Sequence, residues 1–163
     1  MKNFAFVFPG QGSQAVGMLD AWADHPAVRE TLQEASDAMG EDLGKLIHEG
    51  PADVLAMTVN TQPVMLVAGI AAWRVWRAEG GAVPSVVAGH SLGEYSALVA
   101  AGVLTLAQAT PLVRFRAQAM QDAVPAGTGA MAAILGMDAQ RVIAGCAEAQ
   151  ATFGADSAEV VEA

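Results

Sequence analysis

A strand-turn-helix pattern with a serine at its turn constrains this chain more than any other feature. The apolar run 85–88 predicts a buried strand, and residues 92–101 predict a helix that ends at Gly102. Residues 89–93 between them fit G-x-S-x-G, in which a sharp turn lifts the serine out of the fold. Its flanking glycines suit that turn because a side chain at either position would collide within it. Ser91 is therefore the candidate nucleophile, and the alternative is a small-residue turn without chemistry.

The same turn places Ser91 at the N-terminus of the predicted helix. The first N–H groups of a helix have no partner within it, so the N–H of Leu92 is free to bind a developing oxyanion. Glu94 lies in the first turn of this helix, where we expect it to act as a capping and dipole partner rather than as a catalytic acid.

The amino-acid composition limits the partners and the cellular compartment that we expect for this chain. The formal charge of −9 comes from 17 acidic and 8 basic residues, and no dense Lys/Arg cluster favours a nucleic-acid partner. A single cysteine, Cys146, excludes an internal disulfide and fits a reducing compartment. The longest apolar run, 64–73, is short of the roughly 20 residues that a membrane-spanning helix needs, and the N-terminus lacks a signal-peptide core. We expect a cytoplasmic protein without membrane association.

The rest of the chain predicts one α/β domain in which strands and helices alternate. Residues 4–8 predict a strand covered on both faces, followed by a loop of turn-forming residues at 9–14 and a short helix near 15–21. The strand-helix-strand order favours parallel pairing with the serine strand. Further helices are predicted from 24–26 to Gly40, over 42–48, from a cap at 60–63 to 79, and from a Thr105–Gln108 capping box to 123.

A change in composition at residues 125–129 predicts a subdomain boundary. Beyond it, the pattern predicts a strand at 130–135, a helix at 138–150 and a second strand at 159–161. Before it, Arg114 and Arg116 lie two residues apart on the predicted helix 105–123, so their side chains point to different faces. The pattern by itself does not choose between them as a functional residue.

Four motifs taken together carry a family resemblance. In chain order, the loop 8–14, the segment 61–63, the turn 89–96 and the run 114–120 resemble the N-terminal half of the malonyl-CoA:acyl carrier protein transacylases. Those enzymes load malonyl groups in type II fatty-acid synthesis. The resemblance implies an incomplete α/β-hydrolase-like subdomain over residues 1–126, with a parallel-sheet core. It also implies the beginning of an inserted ferredoxin-like subdomain over residues 127–163.

The resemblance also implies a mechanism and a set of site residues. Ser91 would take malonyl from coenzyme A as an ester and pass it to the phosphopantetheine thiol of acyl carrier protein, with malonyl-CoA as substrate and no bound cofactor or metal. The N–H groups of Gln11 and Leu92 would form the oxyanion hole. Arg116 would hold the malonyl carboxylate in a bidentate pair.

The chain departs from the family at the general base. Family members are longer, and their base histidine lies beyond the position that corresponds to Ala163. None of the three histidines here matches it. His90 belongs to the turn motif but is expected to pack or hydrogen-bond behind the turn, and His25 and His48 are expected to be solvated or capping residues.

Two alternatives to malonyl transfer therefore stay open. A serine hydrolase or thioesterase could use the same turn. Arg116 argues against it, because an ion pair with a dicarboxylic acyl group can keep the ester away from water. A non-catalytic fragment that retains the fold without turnover is the second alternative, and the missing base is the feature that supports it.

Overall fold

Two parallel strands form the sheet that carries the serine turn. In the computed structural model, which describes residues 3–123 and 134–153, β1 (Ala5–Phe8) pairs in parallel with β2 (Val86–Gly89). The predicted parallel pairing is confirmed. Phe8 lies opposite Gly89, so both strands end at the same level. The loop after β1 and the turn after β2 therefore leave the sheet at one edge, where α/β sheets bind ligands.

Only one face of this sheet is covered within the described part of the chain. Val7 is 67% exposed and Val86 is 58% exposed, whereas Phe8 is 2% exposed. Phe6, on the same face as Phe8, packs against Trp73 with ring centroids 5.1 Å apart. The continuous apolar run predicts a strand covered on both faces. The described structure differs because its helices pack on the face of Phe6 and Phe8.

The described helices are distributed between two units of the chain, Met1–Ala126 and Gly127–Ala163. The first unit holds six α-helices: α1 (Pro26–Met39), α2 (Leu43–Glu49), α3 (Ala52–Ala56), α4 (Thr58–Ala78), α5 (Leu92–Ala100) and α6 (Leu106–Ala123). The helix predicted near 15–21 is instead a set of turns ending in a 3₁₀ helix, Asp20–Trp22. Gly17 has a φ of 76°, which an α-helix does not accommodate.

Helix α4 is the centre of the first unit and packs against α1, α5 and α6. It is apolar nearly all round, as a helix surrounded by others must be, and Val64, Leu66 and Ile70 are fully buried. Residues 60–63 do not cap it, because the helix begins at Thr58 and includes Pro63. The side chains of Asn60 and Thr61 instead donate to the carbonyls of Val54 and Leu55 at the end of α3.

Several predicted helix ends are confirmed. Helix α1 begins with a hydrogen bond from the Ala27 N–H to His25 Nδ1 and ends at Gly40, whose φ is 67°. The capping box is present before α6, where Thr105 Oγ1 accepts from the Gln108 N–H at 3.2 Å and Gln108 Oε1 accepts from the Thr105 N–H at 3.1 Å.

In the second unit the structure describes one helix, α7 (Ala139–Phe153), where a helix over 138–150 is predicted. Of the strand predicted at 130–135, only residues 134–135 are described, and they are not in a strand. The strand predicted at 159–161 lies outside the described residues. Among the helices described in either unit, none combines the length and apolarity that crossing a membrane requires.

Candidate active site

The backbone at Ser91 is held in a conformation that residues other than glycine rarely adopt. Ser91 lies between the end of β2 and the start of α5 with a φ of 53° and a ψ of −112°. No other described residue apart from glycines has a positive φ. Such strain persists where the surrounding structure enforces it, and it is characteristic of functional sites. The Ser91 side chain is exposed and does not cap α5, so its hydroxyl is free of that structural role.

The two glycines of the turn are required by its close packing. A Cβ at Gly89 would lie 2.0 Å from the Gly93 carbonyl carbon, and a Cβ at Gly93 would lie 2.3 Å from the Phe8 carbonyl oxygen. Both distances are far below van der Waals contact between backbone atoms. The prediction that side chains would collide here is confirmed, and at Gly93 the collision is with the neighbouring strand β1.

Arg116 reaches Ser91 from helix α6. Its Nη2 donates to Ser91 Oγ at 2.9 Å, and its Nη1 donates to Gln62 Oε1 at 2.6 Å. The guanidinium carbon lies 5.8 Å from the centre of the Tyr95 ring on α5, within the range of a cation–π interaction. Residues on α4, α5 and α6 thus hold this cation against the serine of the turn.

Gln62 belongs to the site, although the sequence analysis placed it only in a predicted helix cap and in the motif 61–63. It is 1% exposed, and besides its contact with Arg116 it donates from Nε2 to the Met120 sulfur at 3.3 Å. The signal in the sequence is a polar residue two positions before the long apolar run 64–73 of α4. Buried polar groups are hydrogen-bonded, so this position calls for a partner brought from elsewhere in the chain.

Arg114 lies on a different side of α6, as its spacing from Arg116 predicts. It donates to Asn60 Oδ1 at 3.2 Å and to Glu41 Oε2 at 2.5 Å, forming an ion pair with the latter. Arg116, in contrast, has no carboxylate at ion-pair distance among the described residues. The positive charge beside Ser91 is therefore not neutralised by a described side chain.

The backbone groups expected to form the oxyanion hole lie at the same edge of the sheet as Ser91. Gln11 is in the loop after β1, and Leu92 opens α5. The loop runs close to the turn, since a Cβ at Gly10 would be 3.1 Å from the His90 carbonyl oxygen. Neither the Gln11 nor the Leu92 N–H donates to a described acceptor. Both N–H groups are free to donate to a ligand oxygen.

The three histidines contact groups other than the serine. His90 is exposed, and its ring lies beside the loop, where a Cβ at Gly10 would be 3.7 Å from Nδ1. His25 Nε2 lies 3.1 Å from Glu79 Oε1, and the His48 ring bonds to the Asp20 carboxylate. Ser91 Oγ has no hydrogen bond to any of the three. Within the described ranges, no group of His, Cys, Asp and Glu side chains is arranged to hold a metal ion.

Comparison with known protein families identifies the family to which the chain belongs. The family model described as the acyl transferase domain matches residues 5–156. The chain belongs to the acyl transferase domain family. The matched residues of this acyltransferase chain include Ser91, Arg116 and Gln62, together with the loop that contains Gln11.

Individual relatives are similar over most of the acyltransferase chain. It is 57% identical over 150 residues to the malonyl CoA-acyl carrier protein transacylase of Escherichia coli strain K12, covering 91% of this chain and 48% of the relative. An acyl-carrier-protein S-malonyltransferase structure from Burkholderia pseudomallei 1710b is 68% identical, with a TM-score of 0.87, covering 93% of this chain and 49% of that one.

A third similarity is to a complex. The structure of a type II PKS acyl-carrier protein bound to its malonyl-transacylase contains a chain that is 52% identical, with a TM-score of 0.86. The match covers 91% of the acyltransferase chain and 48% of that chain. The chain thus spans about half the length of the relatives that it matches.

Proposed function

We propose that this acyltransferase chain carries the nucleophile of a malonyl-CoA:acyl carrier protein transacylase. The observation that supports this most strongly is the 2.9 Å hydrogen bond from Arg116 Nη2 to Ser91 Oγ, made by a cation without a described carboxylate partner. The relatives named above act, by their names, on malonyl groups and acyl carrier protein.

The size of a malonyl group fits this spacing. Its carboxylate carbon and its thioester carbonyl carbon are joined through one methylene, so they are about 2.5 Å apart at ordinary bond lengths. A carboxylate bound by Arg116 therefore brings the thioester carbon next to Ser91 Oγ. An acetyl group has no carboxylate for Arg116 to bind, so the same arrangement selects between the two acyl groups.

The reaction proceeds in two acyl transfers. Ser91 Oγ attacks the thioester carbonyl carbon, the Oγ–C bond forms, and the C–S bond breaks to release coenzyme A as its thiol. The phosphopantetheine thiol of acyl carrier protein then attacks the ester, and Ser91 recovers its proton. In both steps the N–H groups of Gln11 and Leu92 stabilise the oxyanion, and Arg116 holds the carboxylate.

The general base belongs, in this proposal, to a histidine outside residues 1–163. A serine hydroxyl is a weak nucleophile until an adjacent base takes its proton, and no histidine of the chain contacts Ser91 Oγ. We further propose that Met1–Ala126 is the large α/β-hydrolase-like subdomain and that Gly127–Ala163 begins the ferredoxin-like one.

The test is acylation of the complete gene product by malonyl-CoA, followed by intact mass and peptide mapping. We expect one malonyl ester, on Ser91, that transfers to the thiol of holo acyl carrier protein. Ser91→Ala should abolish the ester, because losing a nucleophile that works with a base costs up to about a millionfold in rate. Release of free malonate without the carrier would instead identify a hydrolase. A malonyl ester that persists in the Ser91→Ala protein would contradict the assignment.

A further inference from the structure

We infer that Gln62 is a specificity-determining positioning residue. It aims the Arg116 guanidinium at the acyl site while leaving its charge available, and so sets the preference for malonyl over acyl groups without a carboxylate. The inference rests on the proposed function, in which Arg116 binds the malonyl carboxylate.

The orientation of the Gln62 amide follows from the chemistry of its neighbours. An arginine only donates hydrogen bonds, so the amide oxygen must face Arg116, and it accepts from Nη1 at 2.6 Å. The amide nitrogen then faces the Met120 sulfur at 3.3 Å, which is a weak acceptor. With the side chain 1% exposed, water cannot supply another arrangement. Gln62 therefore fixes one side of the guanidinium while Nη2 points to Ser91.

The neutrality of this amide matters for the charge of Arg116. A glutamate in its place would accept the same hydrogen bond but would form an ion pair with the guanidinium in a buried setting. That ion pair would compete with the substrate carboxylate for the positive charge, because opposite charges at hydrogen-bond distance attract more strongly where water is partly excluded. A neutral acceptor orients Arg116 and leaves its charge for the ligand.

A second arginine–amide pair in the same helices offers an internal control. Asn60 and Arg114 are separated by the same 54 residues as Gln62 and Arg116, and Asn60 Oδ1 likewise accepts from an arginine Nη1. Arg114, however, also pairs with Glu41. A carboxylate introduced at position 60 would lie beside Arg114, whose charge Glu41 already neutralises.

The experiment compares kcat/KM for malonyl-CoA and acetyl-CoA in four versions of the complete gene product: the parent, Gln62→Glu, Gln62→Met and Asn60→Asp. We expect Gln62→Glu to lower the malonyl value by roughly tenfold or more, with the acetyl value nearly unchanged. Gln62→Met leaves the charge of Arg116 unpaired but removes the hydrogen bond that orients its guanidinium. The fall in kcat/KM for malonyl-CoA should therefore be smaller than in Gln62→Glu. Asn60→Asp should keep the parent ratio.

Damage to the fold would lower both acyl transfers together, so the ratio separates positioning from a structural role. Equal losses for both substrates, or an unchanged ratio in Gln62→Glu, would overturn the inference. Thermal unfolding is measured for each variant. If neither Gln62 variant folds, Met120→Leu decides, because Met120 is 41% exposed and its sulfur holds the Gln62 amide. A few-fold fall in the malonyl preference is expected there, and an unchanged preference would contradict the inference.

Arg116→Ala, run alongside, separates this inference from the proposed function. If Arg116→Ala leaves the malonyl preference intact, the proposed function fails at its carboxylate site. If Arg116→Ala removes the preference but the Gln62 variants do not lower it, only the role of Gln62 is wrong.

Discussion

Arg114 and Arg116 lie on the same helix and each bonds to an amide side chain of α4, yet their surroundings differ in charge. Arg114 is joined to Glu41 and Asn60, and its buried Nε has no partner among the described groups. Arg116 is joined to Gln62 and to the hydroxyl of Ser91. The first arginine has its carboxylate within the fold, and the second has none in the described structure. Residue type and helix position do not distinguish the two arginines, whereas the charge of their partners does, and the proposed role of Arg116 in binding a carboxylate rests on that difference.

Of the two arginines, Arg116 should have the larger effect on activity when its side chain is removed. Truncating one partner of a buried charge pair costs about 2–5 kcal/mol, which corresponds to a fall of roughly 30- to 4,000-fold in kcat/KM for malonyl-CoA. The acetyl value should change little, because acetyl has no carboxylate to lose a partner. Steady-state kinetics of Arg116→Ala with both thioesters measure this. A parallel fall for both substrates would mean that Arg116 supports the site rather than the carboxylate.

Removal of the Arg114 side chain should act on stability instead. Arg114→Ala deletes hydrogen bonds to Glu41 and Asn60 that connect α6 to α4 and to the segment after α1. Because Glu41 remains half-exposed and can be solvated, we expect a loss of about 1–3 kcal/mol in the free energy of unfolding. Denaturant titration measures it. The malonyl-to-acetyl ratio should stay at the parent value, and a shift in that ratio would break the distinction between the two arginines.

Much of the fold could be predicted because its signals are local. The turn at 89–93 follows from its own glycines, the end of α1 from Gly40, and the start of α6 from the Thr105–Gln108 capping box. The prediction of a cap at residues 60–63 is wrong because a polar cap and a polar tertiary contact have the same composition. Asn60 and Thr61 are used to satisfy the carbonyls at the end of α3, which no local pattern reveals.

The candidate site could be predicted only in part, because some of its contacts join residues that are distant in the sequence. The placement of Ser91 in a strained turn follows from the sequence around it. Helical spacing separates Arg114 from Arg116, but which side of α6 meets the turn depends on how α4, α5 and α6 pack. The family resemblance, not the pattern, selected Arg116. Gln62 acquires its role from an arginine 54 residues away, so its function emerges only when the helices are assembled.

The most direct test of the account is a competition for Ser91 between equal concentrations of malonyl-CoA and acetyl-CoA. The acyl groups on the active-site peptide are counted by mass in the parent protein, Arg114→Ala and Arg116→Ala. We expect malonyl to predominate on Ser91 in the parent and in Arg114→Ala, and we expect this predominance to disappear in Arg116→Ala. Malonyl predominance that survives in Arg116→Ala, or that is lost in Arg114→Ala, would contradict it.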